Sequence, residues 1–274
     1  MRMLLRRHPF LSFSAAVFVL LALVSLLAPY VLADPRALNP VLRLRPPGWD
    51  HLFGTDHLGR SVFVRTLYGT RVSLSIGAAV ALATTVLGLA VGLAAGFLRR
   101  WDGVVMRCMD GIMAIPGVLL AIALMSLFGS DIRTVIVAIT IPEVPRMARL
   151  VRGLTLSIRG QPYIQAAITN GARLPRLMVR HVLPNVVAPV LVQATYVFAS
   201  AMILEAVLSF LGAGTPPDIP SWGNMLAEGR NYLGRAPWIL AFPGVALALL
   251  VLLVNVTGDA ARDTLDPRLS RSLK

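Results

Sequence analysis

Few residues in this chain have the types and spacing to do chemistry. Asp56, His57 and Arg60 sit together in the stretch GTDHLGR. A carboxylate, an imidazole and a guanidinium so close suit acid–base work. No nucleophile or second carboxylate accompanies them, so a turn stabilised by Asp56 is the expected role. Asp259, Asp263 and Asp266 suggest a cation site, but Arg262 and Arg268 are interleaved with them, which predicts a solvated, salt-bridged tail. His8, His51, His57 and His181 show no paired ligand spacing, and Cys108 is the single cysteine, so no metal site and no disulfide are expected. A phosphate-binding loop needs a Lys after its glycines, and the one Lys is the last residue, Lys274. No catalytic residue, metal or nucleotide site of its own is expected in this chain.

Three features remain. Glu143 and Glu205 lie in apolar surroundings, where burying a charge is costly and a carboxylate is functional by default. Both are expected to line a translocation path or to contact a neighbouring helix. The third feature is the segment QAAITNGARLPRLMVRHVLP at 165–184. Gln165, Ala166 and Ala167 favour helix, and the small side chains let another surface approach. Gly171 permits a sharp change of direction that a Cβ resists. Arg173, Arg176 and Arg180 follow, with Leu174 and Leu177 between them, and Leu183-Pro184 closes the pattern. The residues alone leave two roles open: an amphipathic segment held on anionic lipid, or a handle for a partner protein.

The elements that must position these residues are apolar. The 274 residues are 56% hydrophobic and 14% charged, with a mean hydropathy of +0.73. Soluble domains average about 25% charged residues, so a bilayer is the natural solvent. The net charge of +13 would suggest nucleic acid in a soluble protein. Here the arginines lie in short connections between apolar spans, which argues against it. A crossing helix needs about 20 apolar residues. Six spans are predicted, at 10–33, 72–98, 111–130, 132–150, 186–211 and 236–258, in one all-α polytopic membrane domain covering 1–274. The first is too long for a signal h-region and precedes no A-x-A-like site, so it reads as an uncleaved anchor. With the N-terminus inside, 17 of the 26 basic residues fall on inner segments. Both termini and the loop 155–184 are therefore expected in the cytoplasm, with 34–71 and 213–235 outside. The segment 34–71 fits badly, since it carries six arginines and three aspartates. Residues 213–235 place Trp222, Met225, Leu226 and Leu233 at helical spacing, which predicts a short helix in the membrane interface.

The loop at 165–184 resembles the EAA loop of ATP-binding-cassette importer permeases. The stretches FGTDHLGRSVFVRTLYGTRVSLSIG (53–77), ARLVRG (148–153), RHVLPN (180–185), LEAVLSFLGAGTPPDIPSWGNMLAEGR (204–230) and NVTGDAARDTLDPRL (255–269) extend the likeness. From about Phe53 onward the chain is similar to the second permease subunit of dipeptide, oligopeptide and nickel importers. The resemblance implies a type I importer permease fold with six transmembrane helices, in a bacterial or archaeal plasma membrane. It implies a sibling permease, two cytoplasmic ATPases that bind ATP and Mg, an external substrate-binding protein, and membrane lipid as surroundings. It implies inward passage of short peptides, or alternatively of nickel or another small solute. It assigns ATPase docking to Gln165, Ala166, Ala167, Gly171, Leu183 and Pro184. Two departures stand out. Gln165 replaces the usual Glu, keeping length and hydrogen bonding but losing charge. Ile141-Pro142-Glu143-Val144-Pro145 replaces a Trp-Pro-Gly-like stretch.

Overall fold

The computed structural model describes residues 9–265. Their order is α1 (Pro9–Val31), α2 (Val62–Phe97), α3 (Arg99–Met113), α4 (Gly117–Phe128), α5 (Ile132–Arg159), α6 (Pro162–Thr169), α7 (Leu174–Leu177), α8 (Leu183–Phe210), α9 (Trp222–Gly229) and α10 (Trp238–Leu265). The described residues contain no β-strand, only an isolated bridge between Thr55 and Ser61.

Three helices are long and apolar enough to cross a bilayer: α2, the continuous run Leu174–Phe210, and Trp238–Asp259 within α10. Only 22% of the α10 window is buried, so most of its apolar surface needs a non-aqueous neighbour. The pair α3 and α4 passes the same test jointly but bends by 85°. Helix α1 carries a shorter apolar stretch, Ala16–Tyr30. Helix α5 has the length but also Arg133, Glu143, Arg146, Arg149, Arg152 and Arg159.

The expected spans shift in instructive ways. The helix expected at 72–98 starts at Val62, where the Ser61 hydroxyl accepts from Val64 N at 3.4 Å and caps it. The segment 111–130 is not one helix. It breaks at Ala114-Ile115-Pro116, because a proline preceded by residues restricted to extended geometry ends a helix. Helix α5 continues through Pro142 and Pro145 and runs to Arg159, well past the expected 150. Proline is tolerated within apolar bundles where neighbours satisfy the freed carbonyls.

The centre of the bundle is the contact between α2 and α5, the most extensive in the molecule. Gly88, Gly92 and Gly96 form a stripe at four-residue spacing along α2. A Cβ on Gly92 would stand 2.6 Å from Ala148 O and from Val151 Cβ. Missing side chains let the two backbones meet, which is how helices associate where lipid removes the hydrophobic drive. The partners of the stripe climb in step, Met147 against Gly88 and Thr155 against Gly96. The two helices are therefore parallel, and the bent α3–α4 pair returns the chain between them. Buried Ile76, Val80, Val135, Ile139, Val197 and Leu208 fill the middle of the bundle. At one end lie Phe97, Met147, Val151, Val182 and Val186. At the other, Val62, Met202, Trp222, Met225 and Ile239 pack together.

That last cluster corrects one expectation. The short helix in 213–235 exists as α9, but Trp222 and Met225 are fully buried against protein, and the Trp222 indole donates to Thr66 O at 2.9 Å. Its apolar face is covered by α2, α8 and α10, not by lipid.

Candidate functional site: an exposed connector at one end of the bundle

Helix α6 projects between α5 and α7. Pro162 opens it, pre-set for a first helical turn. Gly171 closes it. Its φ is +76°, the left-handed conformation in which a Cβ is strained. Ala172 N donates to Ala167 O at 3.0 Å and Gly171 N to Ile168 O at 2.9 Å. Those two bonds make a Schellman cap, which satisfies carbonyls the helix would leave orphaned.

One residue of α6 anchors it: Ile164 is fully buried. Gln165, Ala166 and Gly171 are exposed and Ala167 is half-buried. Tyr163, Ile168, Leu174 and Val179 add exposed apolar surface alongside. The connector thus presents small and apolar groups outward, with Arg173, Arg176 and Arg180 exposed beside them. Gln165 does more than fill space. Its Nε2 donates to the Arg159 carbonyl at 2.9 Å, capping the end of α5. A glutamate has no donor for that bond, so the amide adds a tie across the turn between α5 and α6.

The second half of the connector is not a separate loop segment. Leu174 begins a helix that continues through a five-residue π segment, Met178–Val182, into α8. Pro184 explains the π turn. It cannot donate one turn back, and its ring would clash with the carbonyl there, so the helix widens. The side chain of Asn185 fills one opening by donating to His181 O at 2.6 Å. Leu183 and Pro184 therefore lie on the shaft of α8, apart from the exposed turn at Gly171.

Two ion pairs fasten α3 to α5 at the same end of the molecule. Arg152 grips Asp102 with Nε and Nη2 at 2.5 and 2.7 Å, and Arg149 Nη2 lies 2.5 Å from Asp110. Spacing alone does not point to these partners, which are 50 and 39 residues apart.

The two apolar-segment acids differ. Glu143 is buried and pairs with Arg146, one turn on, at 3.2 Å. Glu205 is fully buried near the end of α8. Its Oε1 accepts from Ser209 Oγ at 2.9 Å and lies 3.2 Å from Thr215 Oγ1, which is 3.0 Å from Ser221 Oγ. Asn224 Nδ2 donates to the carbonyls of Pro216 and Ile219, at 2.9 and 3.1 Å. This hydroxyl network ties the segment after α8 to the start of α9. Gln retains the Oε1 acceptor, so Glu205→Gln is expected to keep uptake within about 3-fold of wild type. Lys leaves a buried unpaired cation, so Glu205→Lys is expected to cost about 3–5 kcal/mol and to block assembly. Yield of monodisperse complex, beside uptake, checks both. Normal yield with no uptake in the Gln variant would assign Glu205 a charge-dependent role.

At the opposite end, Asp56 does stabilise its turn. Its Oδ1 accepts from Leu58 N and Arg60 N at 2.8 and 2.9 Å. It also belongs to a larger cluster. Asp56 Oδ2 lies 2.6 Å from Arg60 Nε and 2.7 Å from Arg65 Nη1, and Glu228 Oε2 takes both arginines at 2.8 and 2.7 Å. Glu228, on α9, is the member that sequence spacing could not supply. Burial pushes the Asp56 carboxyl up, but Arg65 and Arg60, with two backbone N–H groups, hold it below the ordinary carboxylate range. His57 stacks on Tyr232, with Nδ1 4.0 Å from Glu228. Asp56, His57 and Glu228 bring ligand atoms within 4.8 Å of one another. Two guanidiniums already match the two carboxylates, so the cluster suits an ionic tie and repels an added cation.

The comparisons with known proteins agree with this architecture. A probable peptide ABC transporter permease of Sinorhizobium fredii is 49% identical over 266 residues, spanning 97% of this chain and 91% of that protein. A dipeptide transport system permease of Alkalihalophilus pseudofirmus is 40% identical over 249 residues, covering 90% and 82%. A solved structure of the inward-facing MetNI methionine ABC transporter superposes with a TM-score of 0.60 at 20% identity, over 77% of this chain and 97% of that one. That likeness concerns the fold. The family model for the binding-protein-dependent transport system inner membrane component matches residues 84–271. The chain is an integral membrane protein of that family, a permease subunit of an ABC importer without a catalytic centre of its own.

Proposed function

We propose that this chain forms half of a pore that carries short peptides inward, driven by ATP hydrolysed on separate subunits. The observation that carries the proposal is the exposed connector α6, closed by Gly171 in the left-handed conformation and rooted directly in two long helices, α5 and α8. Force applied to such a connector moves both helices without passing through a slack loop. In this reading Gln165, Ala166, Ala167 and Gly171 form the surface an ATPase grips, while Leu183 and Pro184 stiffen the shaft behind it. The relatives named for peptide and dipeptide transport support the substrate class.

Six crossings fit the parallel course of α2 and α5, with α1, α2, the bent α3–α4 pair, α5, α8 and α10 as the six. Both termini and the α6 end are then cytoplasmic, and the α9 end faces outward. The partners are a sibling permease, two ATPases and an external binding protein, in a bacterial plasma membrane. The test is uptake of labelled di-, tri- and tetrapeptides and of Ni²⁺ by proteoliposomes holding the full complex and its binding protein. ATP-dependent accumulation of a peptide is expected. Accumulation of Ni²⁺ with no peptide, or uptake that ignores ATP, overturns the proposal.

A further inference from the structure

The outward end of the bundle is rich in arginine, against the usual bias of translocated segments. Six lie within residues 34–71. Three of them have acidic partners: Arg36 pairs with Asp218 at 3.2 Å, and Arg60 and Arg65 enter the cluster with Asp56 and Glu228. Arg43 and Arg45 are exposed and form no ion pair among the described residues, and the same holds for Arg235. These three occupy one corner. Trp238, three residues after Arg235, donates its indole N–H to Thr55 O at 3.1 Å, and Thr55 N donates to Arg45 O at 3.0 Å. In the same corner Trp49 is 98% exposed, with exposed Asp50 next to it in sequence.

The corner is held in place. Leu44 N donates to Asp56 O at 3.0 Å, Arg45 N to Thr55 Oγ1 at 2.9 Å, and Thr55 Oγ1 to Leu42 O. Gly48 and His51 exchange backbone bonds at 3.0 and 3.1 Å, fixing the turn that displays Trp49. A bare indole on a hydrogen-bonded turn, with unpaired exposed arginines in the same corner, has the composition of an interface anchor. Its order is already established before any partner arrives, which lowers the entropy cost of docking.

We propose that Arg43, Arg45, Trp49 and Arg235 form the docking corner for the soluble binding protein on which this family depends, and that the binding protein's matching face is acidic. The inference rests on the outward placement of the α9 end proposed above. Charge complementarity selects the occupant. Three unpaired cations steer an acidic protein toward the pore and set its register, and Trp49 adds an apolar contact that docking desolvates.

The test uses the full complex in nanodiscs, with and without anionic lipid, and the purified binding protein of the same transport system. The readout is the concentration of binding protein that half-saturates ATPase stimulation. For Arg43→Glu/Arg45→Glu, and separately for Trp49→Ala, that concentration is expected to rise by about 10-fold or more, with unstimulated ATPase activity unchanged. Added salt should weaken the wild type and narrow the gap to the charge variant. Stimulation of the wild type with no shift in either variant, and no salt dependence, overturns the docking corner alone. Absence of stimulation in the wild type overturns the functional reading and this inference together. A defect that appears only with anionic lipid, at unchanged half-saturation, assigns the corner to lipid and overturns it as well.

Discussion

Ala166→Trp and Gly171→Val are each expected to abolish peptide uptake while the chain still inserts and assembles into its complex. The structure explains why folding survives. Both residues are exposed, and nothing lies within 4 Å of a Cβ built on Gly171. At Ala166 the added indole stands on the outer face of α6, where it holds an approaching surface away. At Gly171 the damage is to the backbone. With φ at +76°, a β-branched residue costs about 1–2 kcal/mol in place. The cheaper course is to give up the cap, releasing the bonds from Gly171 N and Ala172 N and swinging α6 relative to α7. Either change is expected to lower uptake by at least about 100-fold, a scale that misplacement of a coupling surface by ~1 Å can reach. Copurification of the ATPases should fall, or their hydrolysis should run without transport. Gly171→Asn makes a useful control, because Asn tolerates the left-handed region and should retain more activity than Val.

The second large effect is expected at Arg65. Its guanidinium is buried and holds the carboxylates of Asp56 and Glu228 together. Arg65→Leu removes the cation and leaves buried negative charge facing Arg60 alone. Breaking such a pair from one side costs about 3–5 kcal/mol. The loss should appear as detachment of α9 and the 54–61 turn from α2, read as faster amide exchange in residues 54–65 and a lower melting temperature of the purified complex. The pH dependence has a definite sign. The folded Asp56 carboxyl titrates below its ordinary value, so its stabilisation is fully present above the ordinary carboxylate range. It is lost only as pH falls through the depressed folded value. Amide protection of 54–65 should therefore be unchanged between pH 7 and about pH 5. Arg65→Leu removes the main cause of the depression, so its protection should be lower throughout and should lose the acid-dependent decline that the wild type shows below the carboxylate range.

Much of the fold was legible because the bilayer demands long apolar runs. Residues 72–98 and 236–258 announce helices α2 and α10 by composition alone. The failures have identifiable causes. Residues 111–130 read as one span because hydropathy windows ignore direction, and the bend at Pro116 leaves composition unchanged. Helix α5 outruns the span its apolar residues predict, since its six ionisable groups look like loop residues until Arg149 and Arg152 meet Asp110 and Asp102. At the connector, Gly171 declared its turn in the sequence. The continuity of Leu174 into α8 did not show, because Pro175, Pro184 and Pro189 suggest breaks that a π turn absorbs. The role of Gln165 as a cap on Arg159 needed coordinates, as did Glu228. Long-range ionic partners leave no periodicity to read. The six arginines of 34–71, which clash with a simple inside–outside count, become intelligible once three of them find acids.

In the proposed assembly α6 is the cytoplasmic surface on which an ATPase acts. Site-directed thiol labelling tests it most directly. Cys108 is exposed and is replaced by Ser, after which Ala166→Cys supplies a single thiol. An impermeant maleimide should leave that thiol unlabelled in intact cells and label it in inside-out vesicles stripped of ATPase. Rebinding the ATPases should then protect it. Labelling from outside intact cells, or full labelling of inside-out vesicles that carry bound ATPase, would contradict the account.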